Sequence, residues 1–257
     1  MKLPKSYDCI GDIAILKFPR ETKLKEKKKI AEKLLRERKN IKTVLEKVDK
    51  VKGRLRKLKT RFLAGVKSKE TIHKESGCLF KLDIERAYFS PRLSNERLEV
   101  ARKVRKKDKV LVMFSGIAPY SIIIAKISKP KKIVSVEINR EACKYARENV
   151  KLNKLENVEI LQGDVKKIVP KLKEKFDVIV MPRPQLKETF LREAFLVSKK
   201  GTKIFYYGFD FEPGKILEKI KEEAKKYKKR IKIKKIKKAG EIAPYKYRWR
   251  IDLRVLA

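Results

Sequence analysis

Histidine is almost absent from this chain: His73 is the only one in 257 residues. A single imidazole excludes a histidine-rich metal centre and leaves any Ser–His pair to His73 itself. Cysteine is scarce as well. Cys9, Cys78 and Cys143 lie far apart and are odd in number, so neither a disulfide framework nor a metal-ligand cluster is expected. No stretch approaches the roughly 20 apolar residues that a membrane span requires. Residues 1–20 alternate charges with turn formers, unlike a signal peptide. A cytoplasmic chain without metal or membrane anchor is therefore expected. Acidic residues are also in short supply: 32 Asp and Glu face 72 Lys and Arg, for a net charge of +40. A surface set only by habitat would match lysine with glutamate more closely. No ordinary metabolite needs so positive a field, whereas RNA or DNA does.

What is present suffices for a core. Hydrophobic residues make up 42%, enough for one large domain or two modest ones. Residues 7–19, YDCIGDIAILKFP, predict a short strand with a glycine turn, and residues 22–40 a helix with Ile30, Leu34 and Leu35 at helical spacing. IKTVLEKV, TRFLAGV and CLFKLDI read as strands separated by Gly53 and by the Ser76-Gly77 turn. Residues 1–84 thus form a small α+β module, whose loop from Lys52 to Arg61 is almost wholly basic. Pro91 disfavours helix at Ser90, so the next helix begins after it. From Lys109 onward, strands and helices alternate. VLVMF, KIVSVEI, VEILQ, FDVIVM and TKIFYYGF are strands, and helices are predicted after the first two and over residues 187–198 and 213–228. That alternation predicts a mainly parallel sheet covered on both faces, an α/β Rossmann-like domain over residues 85–257. The last two strands, IKIKKIK and YRWRIDLRVL, lack a long crossover and predict an antiparallel addition at one edge. The lysine-rich run from Lys221 to Lys238 fits a solvated face as well as a polyanion contact.

The segment VLVMFSGIAPYSIIIAK, residues 110–126, is a strand, a tight turn and a helix, and the next strand closes on Glu137. In doubly wound sheets this layout binds an adenosine-containing cofactor at the carboxyl ends of the strands. The turn FSGIAP has Gly116 alone, a poor match to the several glycines by which a dinucleotide pyrophosphate is held. S-adenosylmethionine has no phosphate and needs only one close backbone approach. Glu137 follows at roughly 20 residues, where an acid accepts from ribose hydroxyls. Asp164, after the third strand, is placed to accept from an adenine amino group. Either acid alone could instead be a helix N-cap.

The segments GDIAIL (11–16), HKESGCLFKLDI (73–84), YFSPRLSNER (88–97), MFSGIAPYSIIIAK and APYKYRWRIDLRV resemble the archaeal and eukaryotic tRNA (guanine-N1)-methyltransferases that act at tRNA position 37. The resemblance runs nearly end to end, and members of the wider group act in wyosine biosynthesis at the same nucleotide. It implies a class I methyltransferase sheet, S-adenosylmethionine as cofactor, and tRNA as partner near its anticodon loop. It also implies an N-terminal module that binds tRNA. Larger relatives carry a further domain ahead of GDIAIL, so this chain looks like a compact, archaeal-type member, expected to be a monomer. Three positions depart from the family pattern. Val112 replaces an acid, Ala118 replaces a glycine, and Pro182 in MPRPQ replaces an asparagine of the target-base pocket.

What the resemblance implies for the chemistry is specific. N1 of guanine is protonated at neutral pH, so its methylation needs a base as well as a positioned donor. Glu96 is assigned as that base; an apolar pocket would raise its proton affinity, and the many nearby cations would oppose that shift. Arg56 is assigned to the charge developing at O6. Arg97, Phe114, Gly116, Glu137, Asp164, Val165 and Pro182 are the expected cofactor residues. Arg54, Tyr88, Phe89 and Pro184 are expected around the substrate, with Tyr88 and Phe89 either stacking on an unstacked base or filling the core. Glu96 could otherwise be a surface helix ion pair, Arg56 a phosphate contact and Arg97 a solvated helix residue. His73 is expected to be structural. The leading activity is N1 methylation. C7 methylation of a wyosine precursor, by the same protein or instead, comes second, followed by aminocarboxypropyl transfer and a non-catalytic RNA-binding role.

Overall fold

The structure, a computed structural model, describes Pro4, residues 7–48 and residues 58–257. Most of the basic loop, with Gly53, Arg54 and Arg56, lies outside the described residues. Backbone contacts divide the chain into two compact units, Met1–Pro91 and Arg92–Ala257. The division falls later than Ile84, because residues beyond it are tied to the first unit: Glu85 accepts from the backbone and hydroxyl of Thr60, both at 2.7 Å, and Phe89 packs on Phe80.

In the first unit, β1 (Asp8–Ile10) and β2 (Ile13–Leu16) form a hairpin rather than one strand. Gly11 makes its turn at φ +56°, and a Cβ there would come within 2.1 Å of Thr71 Oγ1 and 2.6 Å of the Ile72 carbonyl oxygen. Helix α1 (Leu24–Glu37) then crosses to β3 (Thr43–Lys47), which runs parallel to β2 and pairs antiparallel with β4 (Thr60–Gly65). Ile30, Ala31 and Leu34 recur on the face of α1 that covers Ala14, Leu16, Val44 and Leu63 of this sheet. A second hairpin joins β5 (Glu70–Glu75) to β6 (Cys78–Asp83) through Ser76 and Gly77. The sequence reading had omitted β5, whose ETIHKE composition carries too few apolar residues to stand out.

The second unit opens on a 3-10 turn at Pro91–Leu93 and helix α2 (Ser94–Ala101). Then follow β7 (Lys109–Met113), α3 (Pro119–Ser128), β8 (Lys132–Glu137), α4 (Arg140–Leu152), β9 (Val158–Gln162), α5 (Val165–Ile168) and β10 (Phe176–Met181). The chain ends with α6 (Leu191–Leu196), β11 (Ser198–Asp210), α7 (Gly214–Lys226), β12 (Ile231–Ala243) and β13 (Lys246–Val255). Helix α6 is shorter than the predicted 187–198 element: Phe190 takes a left-handed φ of +58° before it and Ser198 already belongs to β11.

The sheet has the order β12-β13-β11-β10-β7-β8-β9, parallel from β11 to β9, with β13 antiparallel to both β11 and β12. The predicted antiparallel edge is therefore present. Strands β7 and β10 are buried on both faces, which is why they read as continuous apolar runs. The chain leaves central β7 toward β8 and β9, then returns to β10 on β7's other side. That reversal opens a crevice at the carboxyl ends of the strands, the place where such sheets bind ligands. No helix among the described residues is long and apolar enough to cross a membrane.

Candidate active site

The turn after β7 is strained where the crevice opens. Phe114, Gly116 and Ala118 all take positive φ, at +58°, +57° and +65°. A left-handed conformation costs an ordinary L-residue about 1–2 kcal/mol, so the glycine that the resemblance implied at position 118 would suit this backbone, and Ala118 carries strain in its place. Ala118 is the N-cap of α3 and Pro119 its first residue, where a missing N–H goes unnoticed. Ser115 Oγ is buried here without a partner.

Glu137 faces this turn from the end of β8. Its Oε2 accepts from the Gly116 N–H at 2.8 Å, and its Oε1 from the Asn139 N–H at 2.8 Å. Burial pushes its carboxyl upward against the backbone donors of Asn139, Gly116 and Ile138. Glu137 is not the cap of α4; Asn139 is, accepting from Glu141 N at 3.0 Å. Asp164 does cap α5, accepting from Lys166 N at 3.0 Å. Val165 follows it, buried in the core. With three backbone donors on a carboxylate that offers about four acceptor sites, Glu137 retains capacity for a further donor. Together with the orphaned Ser115 hydroxyl, these acceptors suit a ligand that brings hydroxyl and amino groups, such as a nucleoside.

Beyond β10, Pro182 is half-buried and Pro184 buried. Between them Arg183 is 5% exposed. Its guanidinium donates to the carbonyls of Tyr207 at 3.4 Å, Glu188 at 2.5 Å and Leu186, and its Nε has no partner. Pro182 stands where the resemblance implied an asparagine, and the next residue, Arg183, braces the loop through main-chain oxygens.

Glu96 does not occupy an apolar pocket, nor is it a surface ion pair. It is 5% exposed within a polar cluster. Oε1 accepts from Arg250 NH1 at 2.6 Å and from the Tyr207 hydroxyl at 2.7 Å, and Oε2 from Lys237 Nζ at 3.3 Å. Arg250, fully buried, also reaches Glu99 at 2.5 Å and Asp252 at 2.7 Å. Burial would raise the Glu99 carboxyl, but hydrogen bonds from Arg250 and Lys237 outweigh it and hold the group well below the usual range. Tyr120, in the first turn of α3, donates to the Tyr207 hydroxyl at 3.0 Å. Arg97 is 2% exposed, so it is no solvated helix residue.

The second unit contains Glu96, Arg97, Phe114, Gly116, Glu137, Asp164, Val165, Pro182 and Pro184, of which Gly116 and Glu137 are in direct contact. Tyr88 and Phe89 belong to the first unit. There Phe89 is 7% exposed, with its ring 5.0 Å from His73 and 5.9 Å from Phe80, which places it in the core. His73 Nδ1 accepts from the Gly11 N–H at 3.1 Å and so braces the hairpin turn. Sequence reasoning missed Tyr207, Arg250, Glu99 and Lys237. One signal was available: RWRIDLR alternates charged with apolar residues in a segment whose charged face is buried as well.

Comparison with known proteins bears on this site. The family model described as the TRM5/TYW2 methyltransferase domain matches residues 71–234, and the one described as the TYW2 N-terminal domain matches residues 1–68. The tRNA (guanine(37)-N(1))-methyltransferase Trm5b of Pyrococcus abyssi is 38% identical over 98% of this chain and 76% of that protein. Its crystal structure superposes with a TM-score of 0.88, covering 99% of this chain and 76% of that one. The tRNA (guanine(37)-N(1))/4-demethylwyosine(37)-methyltransferase Taw22 of Nanoarchaeum equitans is 33% identical over 96% of this chain and 99% of that protein. The TYW2 of M. jannaschii, solved in complex with AdoMet, is 28% identical with a TM-score of 0.77, covering 98% of this chain and 99% of that one.

Proposed function

We propose, because the chain belongs to the TRM5/TYW2 methyltransferase family, that it transfers the methyl group of S-adenosylmethionine to N1 of guanosine at tRNA position 37. The observation that carries this reading is the crevice itself: Glu137 hydrogen-bonded to the Gly116 turn at the carboxyl ends of β7 and β8, with Glu96 in the same unit. Glu137 would receive the ribose hydroxyls and Asp164 the adenine, with Gly116, Phe114, Val165, Pro182 and Arg97 completing the cofactor site. When bound, that cofactor supplies an electrophilic methyl on a sulfonium. The chain's own part is to hold the guanine in line and remove its N1 proton, for which Glu96 is the base and Arg56 the partner of O6. Arg54, Tyr88 and Pro184 would contact the target nucleotide. The basic first unit and the exposed lysines of β12 would meet phosphates, whose contacts supply most of the affinity. The chain would work as a monomer in the cytoplasm, reaching the tRNA at its anticodon loop.

A second reading, C7 methylation of a wyosine precursor at the same nucleotide, draws support from two facts. The first 68 residues match a TYW2 N-terminal domain, and Taw22, matched over 99% of its length, carries both activities in its name. Incubation with labelled cofactor and transcripts bearing G37 or A37, followed by nucleoside analysis, should give 1-methylguanosine from the G37 transcript alone. Equal labelling of both would reject position 37. Label gained only by precursor-bearing tRNA would move the activity to C7.

Glu137 offers a separate check. Ribose hydroxyls donate to the ionised carboxylate, so cofactor binding favours the form that burial disfavours. Affinity should be full above the raised value and fall as pH drops through it, beginning above the ordinary glutamate value of about 4.3. Calorimetric titration across pH should show this, and Glu137→Gln should flatten the dependence while weakening binding by about tenfold, the loss of one charge-assisted hydrogen bond. A pH-independent affinity in the native protein would remove Glu137 from the ribose.

A further inference from the structure

The two oxygens of Glu96 are not equivalent. Oε1 is saturated, because Arg250 NH1 at 2.6 Å and the Tyr207 hydroxyl at 2.7 Å fill its two lone-pair directions. Oε2 has one long contact, 3.3 Å from Lys237 Nζ, on a side chain that is 35% exposed. The Tyr207 hydroxyl points its proton at Glu96 because it already accepts from Tyr120, which lies just after the cofactor turn. Tyr207 follows Tyr206, which pairs with Met181 at the end of β10, so this chain of hydroxyls runs along the carboxyl edge of the sheet.

We propose that Tyr207, oriented by Tyr120, is a positioning residue that fixes Glu96 through Oε1 and so makes Oε2 the atom that takes the guanine N1 proton. The proposal rests on the reading of Glu96 as the base. In the step, the N1–H bond breaks and its proton moves to Oε2. The N1 electron pair forms the new N–CH3 bond, and the methyl–sulfur pair stays on sulfur.

The surroundings make this readable by pH. Facing Glu96 are Arg250 from β13, Lys237 from β12 and Tyr207 from β11, while Glu99 of its own helix shares Arg250 and Lys237, and Arg97 and Arg248 act on Tyr120. The lysine and arginines stay charged through neutral pH. Asp252 is engaged by Arg250 at 2.7 Å and by Lys103 at 2.6 Å. Both tyrosines stay protonated: burial, then the charge of Glu96, pushes Tyr120 up to about 12, and burial with its two neighbours raises Tyr207 well above the usual value. Neither tyrosine therefore changes charge across the assay range, and saturating cofactor keeps the Glu137 site filled, so a displaced acid limb in a tyrosine variant reports on the base.

The test is single-turnover methyl transfer to G37 transcript across pH 5–9, with Tyr207→Phe, Tyr120→Phe and Glu96→Gln. Losing the Tyr207 donor leaves the carboxylate less stabilised against its acid. The acid limb should move up by about one pH unit in Tyr207→Phe, from the loss of one hydrogen bond to a charged group. Its plateau should fall about tenfold, with cofactor affinity kept and Tm lowered by only about 3–6 °C, the loss of that one hydrogen bond. Tyr120→Phe should shift the limb in the same direction by less. A packing role alone would change Tm or KM and leave the limb in place. An unmoved limb and plateau in Tyr207→Phe, with Glu96→Gln inactive, would overturn this proposal and leave the base assignment standing. An active Glu96→Gln would remove the base itself.

Discussion

Glu96→Gln should slow single-turnover methyl transfer by about 10²–10⁴-fold, the usual contribution of a positioned general base, without weakening cofactor binding. The amide is isosteric and can still accept from Tyr207 and Arg250, so the cluster keeps its shape. What it lacks is a site for the N1 proton. Without a base, only the minor deprotonated form of guanine reacts, so the residual rate should climb with pH toward the intrinsic N1 value. A variant whose rate stays at the native level with a native pH profile would exclude Glu96 as the base.

Arg250→Met should be the most damaging substitution for folding. Arg250 is fully buried and bonds to Glu96, Glu99 and Asp252. Removing one partner of a buried ion cluster leaves uncompensated charge and costs about 3–5 kcal/mol. In a unit of this size that corresponds to a fall of roughly 6–20 °C in Tm. Arg250→Lys should rescue little, since one ammonium cannot make three forked contacts. The pH dependence has a defined sign. Glu99 is held below its unfolded value, so its contribution is full above about pH 4.3 and is lost as pH falls through the folded value. The gap between native and variant should be widest at neutral pH and narrow below about pH 4. Thermal melts of equal Tm at pH 7 would refute this account of the cluster.

Much of the fold was legible because its signals are local. β7, β8 and β10 are doubly buried parallel strands, and their apolar runs appear directly in the sequence. Gly116 and Glu137 were legible for a related reason: a turn and a strand end have fixed places in a doubly wound sheet. The cluster around Glu96 was not. Arg250 is separated from Glu96 by 154 positions, and only the pairing of β13 beside β11 brings it near. The expectation weighed an apolar pocket against nearby cations and could not name a partner so distant in sequence. β5 was missed because its side chains are mostly polar, and its pairing with β6 comes from the Ser76-Gly77 turn. The bracing role of Arg183 depends on carbonyl directions, which no residue pattern encodes.

The 13-residue strand β12 forms one border of the sheet, with no further strand beside it among the described residues. Such a border invites a second copy to add its own strand. Here the exposed Lys232, Lys234, Lys235 and Lys238, and register shifts along the strand, work against such pairing. The lysines proposed to meet phosphates are therefore also the protein's guard against self-association. Neutralising them to weaken RNA binding would expose a β-edge, and a variant designed as a binding control would become an aggregation-prone protein.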